Sequence, residues 1–226
     1  TRSGMPFLRP PLLLSIALLA IPAAAATMEI PLSGPAVPGM ESADHAYSEF
    51  MRRQGIPGGS VAIMKDGRLV YARGFGWADR DKQRPVNPNT LFRIASLSKP
   101  ITALVVTSLV EQGKLSCRQR VFPYLGYPTP DYDGARRDPR LDTITVEDLL
   151  RHSGGWDRDA AFDPMFRSND AARDLPGKPQ PPATAEQVAR WMVGKPLQFD
   201  PGSRYAYSNL GYCLLGRMIE KATGQS

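Results

Sequence analysis

The chain has 226 residues, of which 42% are hydrophobic and 22% are charged, and its formal net charge is +6 at pH 7. This composition excludes a wholly disordered polypeptide and is typical of one large or two small globular domains. The basic excess is modest, and no Lys/Arg-rich stripe with interleaved aromatic residues occurs. The sequence therefore argues against a nucleic-acid partner.

Residues 1–26 are predicted to be a secretory signal peptide preceded by a short upstream remnant. Arg9 lies in the n-region, residues 12–21 form an apolar run, and residues 23–26 form an Ala-rich cleavage site. The run is too short to span a bilayer, and no later stretch is long enough. We therefore expect an exported protein, periplasmic or secreted, with no stable membrane span after cleavage.

The next segments predict an extended arm, a helix and a hairpin. Residues 27–41 are rich in Pro and Gly and are expected to form an extended N-terminus. Ser42 is expected to cap a helix over residues 42–54. Residues 60–73 contain two β-rich runs around Asp66-Gly67, a dipeptide that favours a type I′ turn. The sequence therefore predicts a β-hairpin after the first helix.

A long apolar helix follows, and it begins beside a serine and a lysine. Residues 99–112 are apolar on nearly all sides, which predicts a central, buried helix that ends at Gly113. Ser96 and Lys99 are three residues apart, so they lie on one helix face, where the lysine can help to take the serine's proton. Taken alone, this spacing is more often an ordinary helix start with a solvated lysine.

From residue 115 onwards, strand patterns are scarce and the sequence predicts a mainly helical region. Residues 123–139 and 174–182 are rich in Pro, Gly and charged residues and predict long surface loops. A short capped helix is predicted over residues 143–152, and Thr184 is predicted to begin another.

Tyr207 and Asn209 form a second group of chemically useful side chains. In an extended backbone, residues two apart project to the same side, so the phenol and the amide can enter one cleft together. The phenol can act as a general base if a nearby ammonium lowers its pKa, and the amide can bind a substrate carbonyl. The alternative is an ordinary loop aromatic followed by a helix start.

The remaining reactive residues indicate no metal or cofactor. His45 and His152 are the histidines, and they do not have the ligand spacing of a zinc site. Cys117 and Cys213 are the cysteines, and a disulfide between them and two buried free thiols are equally compatible with the sequence.

Together, these motifs resemble those of the serine β-lactamase and penicillin-binding family, in its class C β-lactamase, D,D-carboxypeptidase and esterase branch. The family's SxxK corresponds to Ser96 and Lys99, and its YxN corresponds to Tyr207 and Asn209. The flanking segments also match, with NTLFRIA at 89–95, LLRHSGG at 149–155 and a PG that leads into YSNLGY within 201–212. The resemblance covers residues 42–226.

This resemblance implies a β-lactamase/transpeptidase-like fold of the α/β (α+β) class, with an antiparallel sheet flanked by helices and a mainly helical subdomain. Residues 42–114 are expected to form the N-terminal part of the α/β region with the nucleophile helix. Residues 115–226 are expected to form the mainly helical region.

The family's third motif, KTG or HxG on a strand that faces the serine, is not found after residue 209. The near match at residues 221–224 is expected to be a helix end capped by Gly224, and the HxG of His152-Ser153-Gly154 is expected to be structural. We therefore expect that the chain is truncated at its C-terminus. Its sheet would then be incomplete, and it would contain only part of the active site.

The resemblance also implies a mechanism. Ser96 would attack an amide or ester carbonyl to form an acyl-enzyme, Lys99 and Tyr207 would share the proton transfers, and Asn209 would hold the substrate's amide side chain. The Ser96 N–H would supply half of an oxyanion hole. Which of Lys99 and Tyr207 is the base stays open, because the two groups titrate as a coupled pair.

The implied substrates are a β-lactam, a D-Ala-D-Ala peptide or a small ester, with cell-wall peptidoglycan as a partner. An ester or D,D-peptidase substrate is favoured over a dedicated β-lactamase function, because nothing in the sequence selects for penicillins. The alternative function is a non-catalytic or slowly acylated protein that binds penicillin or peptidoglycan peptides. The expected chain truncation favours this alternative for the 226 residues themselves.

Overall fold

The computed structural model describes residues 30–225. The predicted signal peptide and the first residues of the predicted extended arm therefore lie outside the described residues. The chain divides into two compact units, of which the first ends at Phe92 and the second begins at Arg93. Within the described range, no helix combines the length and the hydropathy needed to cross a membrane.

From residue 30 to residue 92, the first unit contains one helix and an antiparallel sheet. The elements are β1 (Leu32–Ser33), α1 (Glu41–Gln54), β2 (Gly58–Lys65), β3 (Arg68–Asp79) and β4 (Arg84–Pro85). The sheet has the strand order β1-β3-β2, and β4 pairs with a further part of β3. This arrangement confirms the antiparallel sheet that the sequence predicts.

The predicted hairpin is formed by β2 and β3. Lys65 pairs with Arg68 across the turn. Asp66 and Gly67 both have positive φ angles, of 49° and 73°. Two successive positive φ angles define a type I′ turn, whose twist matches that of the flanking strands. The turn prediction from Asp66-Gly67 is therefore confirmed.

Helix α1 begins differently from the prediction. Met40 occupies the N-cap position without a side-chain cap, and Ser42 lies inside the helix, so the prediction that Ser42 caps it is wrong. Glu41 supplies a carboxylate in the first turn, where the helix dipole favours negative charge. The buried side chains of this unit's core include Met51 of α1 and Phe75 of β3.

The second unit is mainly helical, in agreement with the fold class predicted from the sequence. Short 3₁₀ turns occur at Ala95–Leu97, Pro139–Thr143 and Pro164–Phe166. The helices are α2 (Ser98–Glu111), α3 (Val121–Leu125), α4 (Val146–Leu150), α5 (Ser168–Asp174), α6 (Ala185–Met192) and α7 (Asn209–Thr223).

Helix α7 lies at the centre of this unit and packs against α2, α3, α4 and α6. Its buried face includes Leu210, Leu214, Leu215 and Met218, all fully inaccessible to solvent. The i, i+4 spacing of Leu210, Leu214 and Met218 places these side chains on one face. The apolar periodicity of the sequence therefore locates the helix that carries the core.

Two helices of this unit begin with a capping box. Thr184 caps α6 and forms a capping box with Gln187. The short helix predicted over residues 143–152 is found as α4, which is capped by Thr145 in a box with Asp148. Each box satisfies backbone N–H groups that have no partner inside the helix.

Helix α2 is not buried as predicted. Val106 and Leu109 are buried, whereas Ile101 and Leu104 are 57% and 71% exposed. Apolar composition shows which side chains would be stabilised by burial, but it does not show whether another part of the protein covers them. Among residues 30–225, such cover is present on the side of α2 that includes Val106 and Leu109.

One predicted surface loop starts later in the chain than expected. The predicted surface loop 123–139 begins inside helix α3, whose Phe122 and Leu125 are buried in the core, so its first residues are wrongly predicted.

Cys117 and Cys213 are both free thiols. The structure has no disulfide between them, and because Cys117 is exposed, the expectation that both free thiols are buried is wrong.

Candidate active site

Ser96 lies in the 3₁₀ turn that leads directly into α2, and its side chain is exposed. The preceding residue, Ala95, has a φ of 46°, in the left-handed region that L-residues other than glycine rarely adopt. Such a conformation costs of order 1–3 kcal/mol and persists only where the surroundings enforce it. The serine is thus presented on a strained turn at the start of a helix.

A tyrosine and a lysine contact the Ser96 hydroxyl. Ser96 Oγ is 2.6 Å from the Oη atom of Tyr207, and Lys99 Nζ donates to Ser96 Oγ at 3.3 Å. Lys99 lies in the first turn of α2, three residues after the serine, whereas Tyr207 comes from the segment before α7. A short phenol–hydroxyl contact gives a direct path for a proton between Tyr207 and Ser96.

The Asn209 amide connects the lysine to an aspartate. Lys99 Nζ donates to Asn209 Oδ1 at 2.6 Å, and Asn209 Nδ2 donates to Asp163 Oδ2 at 2.6 Å. Asn209 is the first residue of α7, and Asp163 caps the Pro164–Phe166 turn. The amide thus connects a cation to an anion, with its oxygen towards the first and its nitrogen towards the second.

His152 holds the segment that carries the tyrosine. Its Nδ1 accepts from the Ser208 N–H at 3.1 Å, and its carbonyl oxygen accepts from the Ala206 N–H at 2.8 Å. Its ring stacks on that of Tyr207 with centroids 4.6 Å apart. Burial, followed by the charge of Lys99, lowers the pKa of His152, so the neutral imidazole is favoured.

The surroundings of Tyr207 make its phenol more acidic than a free tyrosine side chain. The Lys99 ammonium, followed by the hydrogen bond with Ser96, lowers the pKa of Tyr207. Lys99 Nζ and the Arg158 guanidinium carbon lie 4.8 Å and 4.7 Å from the centroid of the Tyr207 ring. Two nearby cations make the deprotonated phenol easier to form at a given pH.

The structure brings together all four residues that the sequence singled out: Ser96, Lys99, Tyr207 and Asn209. Contacts between side chains 110 and 111 positions apart in the chain join the two motifs. Their chemical roles stay predictions. The near match at residues 221–224 lies instead at the end of α7, where Gly224 is the C-cap with a φ of 71°.

Two further residues of the site were not predicted from the sequence. Asp163 and Arg158 lie in an irregular segment with no motif of its own, and Asp163 was recognisable only as an Asp-Pro turn start. His152, in the HxG that was expected to be structural, contacts the segment that carries Tyr207. Across residues 30–225, no cluster of three or more His, Cys, Asp or Glu side chains could hold a metal ion.

Comparison with known proteins gives matches over most of the chain. A family model described as Beta-lactamase matches residues 43–226. The probable fimbrial assembly protein FimD, serogroup H1, of Dichelobacter nodosus is 34% identical over 179 residues. That alignment covers 79% of this chain and 41% of the relative, so the chain spans less than half of the relative's length.

Solved structures show the same fold. The octameric penicillin-binding protein homologue from Pyrococcus abyssi has a TM-score of 0.64 and 30% identity, over 83% of this chain and 40% of that chain. EstCE1, a hydrolase with promiscuous acyltransferase activity, has a TM-score of 0.63 and 30% identity, over 82% and 48%. A class C beta-lactamase has a TM-score of 0.60 and 28% identity, over 82% and 45%.

Proposed function

Because this chain belongs to the beta-lactamase family, we propose that it is a serine hydrolase that acts on an amide or ester carbonyl through an acyl-enzyme. The observation that carries the proposal is the contact of 2.6 Å between Ser96 Oγ and Tyr207 Oη, with Lys99 Nζ at 3.3 Å from the same oxygen. A nucleophile with a base at hydrogen-bond distance is the basic requirement for covalent catalysis.

In the proposed first half-reaction, Tyr207 is the general base. Its phenolate accepts the Ser96 proton while Oγ bonds to the carbonyl carbon, and the Ser96 N–H donates to the oxyanion that forms. The phenol then gives this proton to the leaving group as the acyl-enzyme forms. The assignment is supported by the shorter distance to the phenol and by the lowered pKa of Tyr207.

In the second half-reaction, a water molecule loses a proton to the phenolate and attacks the acyl carbon. The proton returns to Ser96 Oγ as the free serine is released, so the enzyme is regenerated. Lys99 stays an ammonium that stabilises the phenolate, held by the oxygen of Asn209. One N–H of the Asn209 amide is directed to Asp163, and we assign the other to the carbonyl of the substrate's amide side chain.

We propose a small ester or a D-Ala-D-Ala peptide as the substrate, in preference to a β-lactam. This preference is supported by EstCE1, which is 30% identical and described as a hydrolase, and by the Pyrococcus abyssi protein, also 30% identical and described as a penicillin-binding protein homologue. We also propose export to the periplasm or the medium, which rests on the signal-peptide pattern alone. The mass of the mature protein from the native host would reveal cleavage after the Ala-rich segment.

The nucleophile is tested by covalent labelling. A fluorescent penicillin and a fluorophosphonate should each label the parent protein, and Ser96→Ala should abolish labelling. The matched control is Ser98→Ala, which removes an exposed hydroxyl two residues away and should label like the parent. Labelling that persists in Ser96→Ala would show that another residue is the nucleophile.

The substrate is tested by turnover of a p-nitrophenyl ester, a D-Ala-D-Ala peptide and a chromogenic cephalosporin. Faster turnover of the ester or the peptide supports the preferred substrates, and faster turnover of the cephalosporin contradicts the preference. Stable labelling without turnover of any of them would favour the alternative, a slowly acylated binding protein.

A further inference from the structure

Asp163 has a contact pattern that only a carboxylate satisfies. Its Oδ1 accepts from the Met165 N–H at 3.1 Å, and its Oδ2 accepts from Asn209 Nδ2 at 2.6 Å. The side chain is 11% exposed, and the guanidinium of Arg158 approaches it to 4.0 Å. Both oxygens therefore accept from fixed donors, and an amide at this position could offer only one acceptor oxygen.

These contacts define the orientation of the Asn209 amide. A carboxylate only accepts and an ammonium only donates, so the amide must direct its nitrogen to Asp163 and its oxygen to Lys99. A rotation of the amide by 180° would place its nitrogen against a cation and its oxygen against an anion. Both contacts would then be repulsive, so one orientation is strongly favoured.

The orientation is transmitted to the reacting atoms. Lys99 Nζ uses one hydrogen bond to the amide oxygen at 2.6 Å and another to Ser96 Oγ at 3.3 Å. A lysine side chain is long and flexible, so an acceptor on a helix end restricts where its charge lies. Without that acceptor, the ammonium is free to leave Ser96 and the Tyr207 ring.

We propose that Asp163 is a positioning residue of the site, whose carboxylate orients the Asn209 amide so that the amide oxygen holds the Lys99 ammonium beside Ser96 and Tyr207. The effect of Asp163 on the acylation rate rests on the proposed function. Its effect on the positions of Asn209 and Lys99 rests on the hydrogen bonds alone. A misplacement of about 1 Å in catalytic geometry costs up to about 100-fold in rate, and we expect Asp163→Asn to slow acylation by a factor of this order.

A direct charge effect and a positioning effect predict opposite changes at Tyr207. If Asp163 acted only as a nearby negative charge, its removal would lower the pKa of Tyr207 further. If it acts through Asn209 and Lys99, its removal releases the ammonium, which is the main cause of the lowered pKa, and the pKa of Tyr207 rises. The sign of the change distinguishes positioning from a simple field effect.

The experiment measures this sign by NMR, which needs no turnover. The protein is labelled with ¹³C at the tyrosine Cζ and with ¹⁵N, and Tyr207 and the Asn209 side chain are assigned from Tyr207→Phe and Asn209→Ala. In Asp163→Asn, we expect a higher pKa for Tyr207 and the loss of the strongly deshielded Nδ2 proton of Asn209. The matched control is Asp133→Asn, which removes an exposed carboxylate from the loop before the Pro139–Thr143 turn and should change neither signal.

A second variant guards against a loss of folding, because Asp163 also caps a turn. Asn209→Ala keeps that cap and breaks the same connection, so it should raise the pKa of Tyr207 as well, and Asp163→Asn added to it should have little further effect. An unchanged Asn209 amide signal or a lower pKa of Tyr207 in Asp163→Asn would overturn the inference.

The acylation rate completes the test. With a fluorophosphonate, Asp163→Asn should react more slowly than both the parent and Asp133→Asn, and an equal rate would overturn the catalytic part of the inference. If the parent itself were not acylated, the proposed hydrolase function would fail, whereas the two NMR signals would still decide whether Asp163 positions the amide and the lysine.

Discussion

Replacement of Tyr207 by phenylalanine removes the single oxygen atom that lies 2.6 Å from Ser96 Oγ. The phenyl ring keeps its stacking on His152, at 4.6 Å between centroids, and its position near the Lys99 and Arg158 cations. The packing is therefore preserved, and we expect the free energy of unfolding to change by less than about 1.5 kcal/mol, the net value of one hydrogen bond. A loss of activity in this variant then reports on chemistry.

The size of that loss follows from the two groups that contact the serine. General-base catalysis contributes about 10²- to 10⁴-fold to a reaction rate. Lys99 Nζ still donates to Ser96 Oγ at 3.3 Å, and a water molecule can replace the lost base in part. We therefore expect the lower end of the range, a loss of about 100-fold in acylation, which corresponds to about 2.7 kcal/mol of activation free energy.

The assay is the second-order rate constant for labelling by a fluorophosphonate, measured together with a thermal melt for each variant. Tyr205→Phe is the matched control, because Tyr205 lies two residues away, is 66% exposed and contacts His152 through its ring, at 5.6 Å between centroids. It should react like the parent. A rate for Tyr207→Phe within threefold of the parent would refute the assignment of the phenol as the base.

Three further outcomes are expected. Lys99→Met removes the main cause of the lowered pKa of Tyr207, so the acid limb of the pH profile of acylation should move to higher pH; an unmoved limb would contradict this. In urea unfolding, Leu214→Ala, in the core, should cost about 2–5 kcal/mol. Leu104→Ala, at a 71% exposed position, should cost at most about 0.5 kcal/mol, and similar losses in both variants would show that the exposure is wrongly assigned. The Asp138 carboxylate, whose pKa a hydrogen-bonded arginine lowers to about 2, should contribute stability that is lost as the pH falls from about 4 towards that value. Equilibrium unfolding of Asp138→Asn across this range should show a weaker pH dependence, and an unchanged dependence would exclude the contribution.

Local sequence predicted much of the fold and the main residues of the candidate site. The Asp66-Gly67 turn and the capping residue Thr184 act over a few neighbouring positions, so their effects can be recognised without knowledge of the fold. Ser96 and Lys99 follow the same rule, because the helical spacing of three residues brings their side chains together. These features come from short-range backbone geometry, which the sequence by itself determines.

The tertiary structure decided what lies far apart in the chain. The contact between Asp163 and Asn209 joins residues 46 positions apart, and an Asp-Pro turn start gives no sign of which donor its carboxylate will meet. The exposure of Leu104 likewise depends on whether another surface covers it, and apolar composition does not contain that information. The sequence thus determined which chemical groups this protein offers, and only the packing of distant segments decided which of them meet.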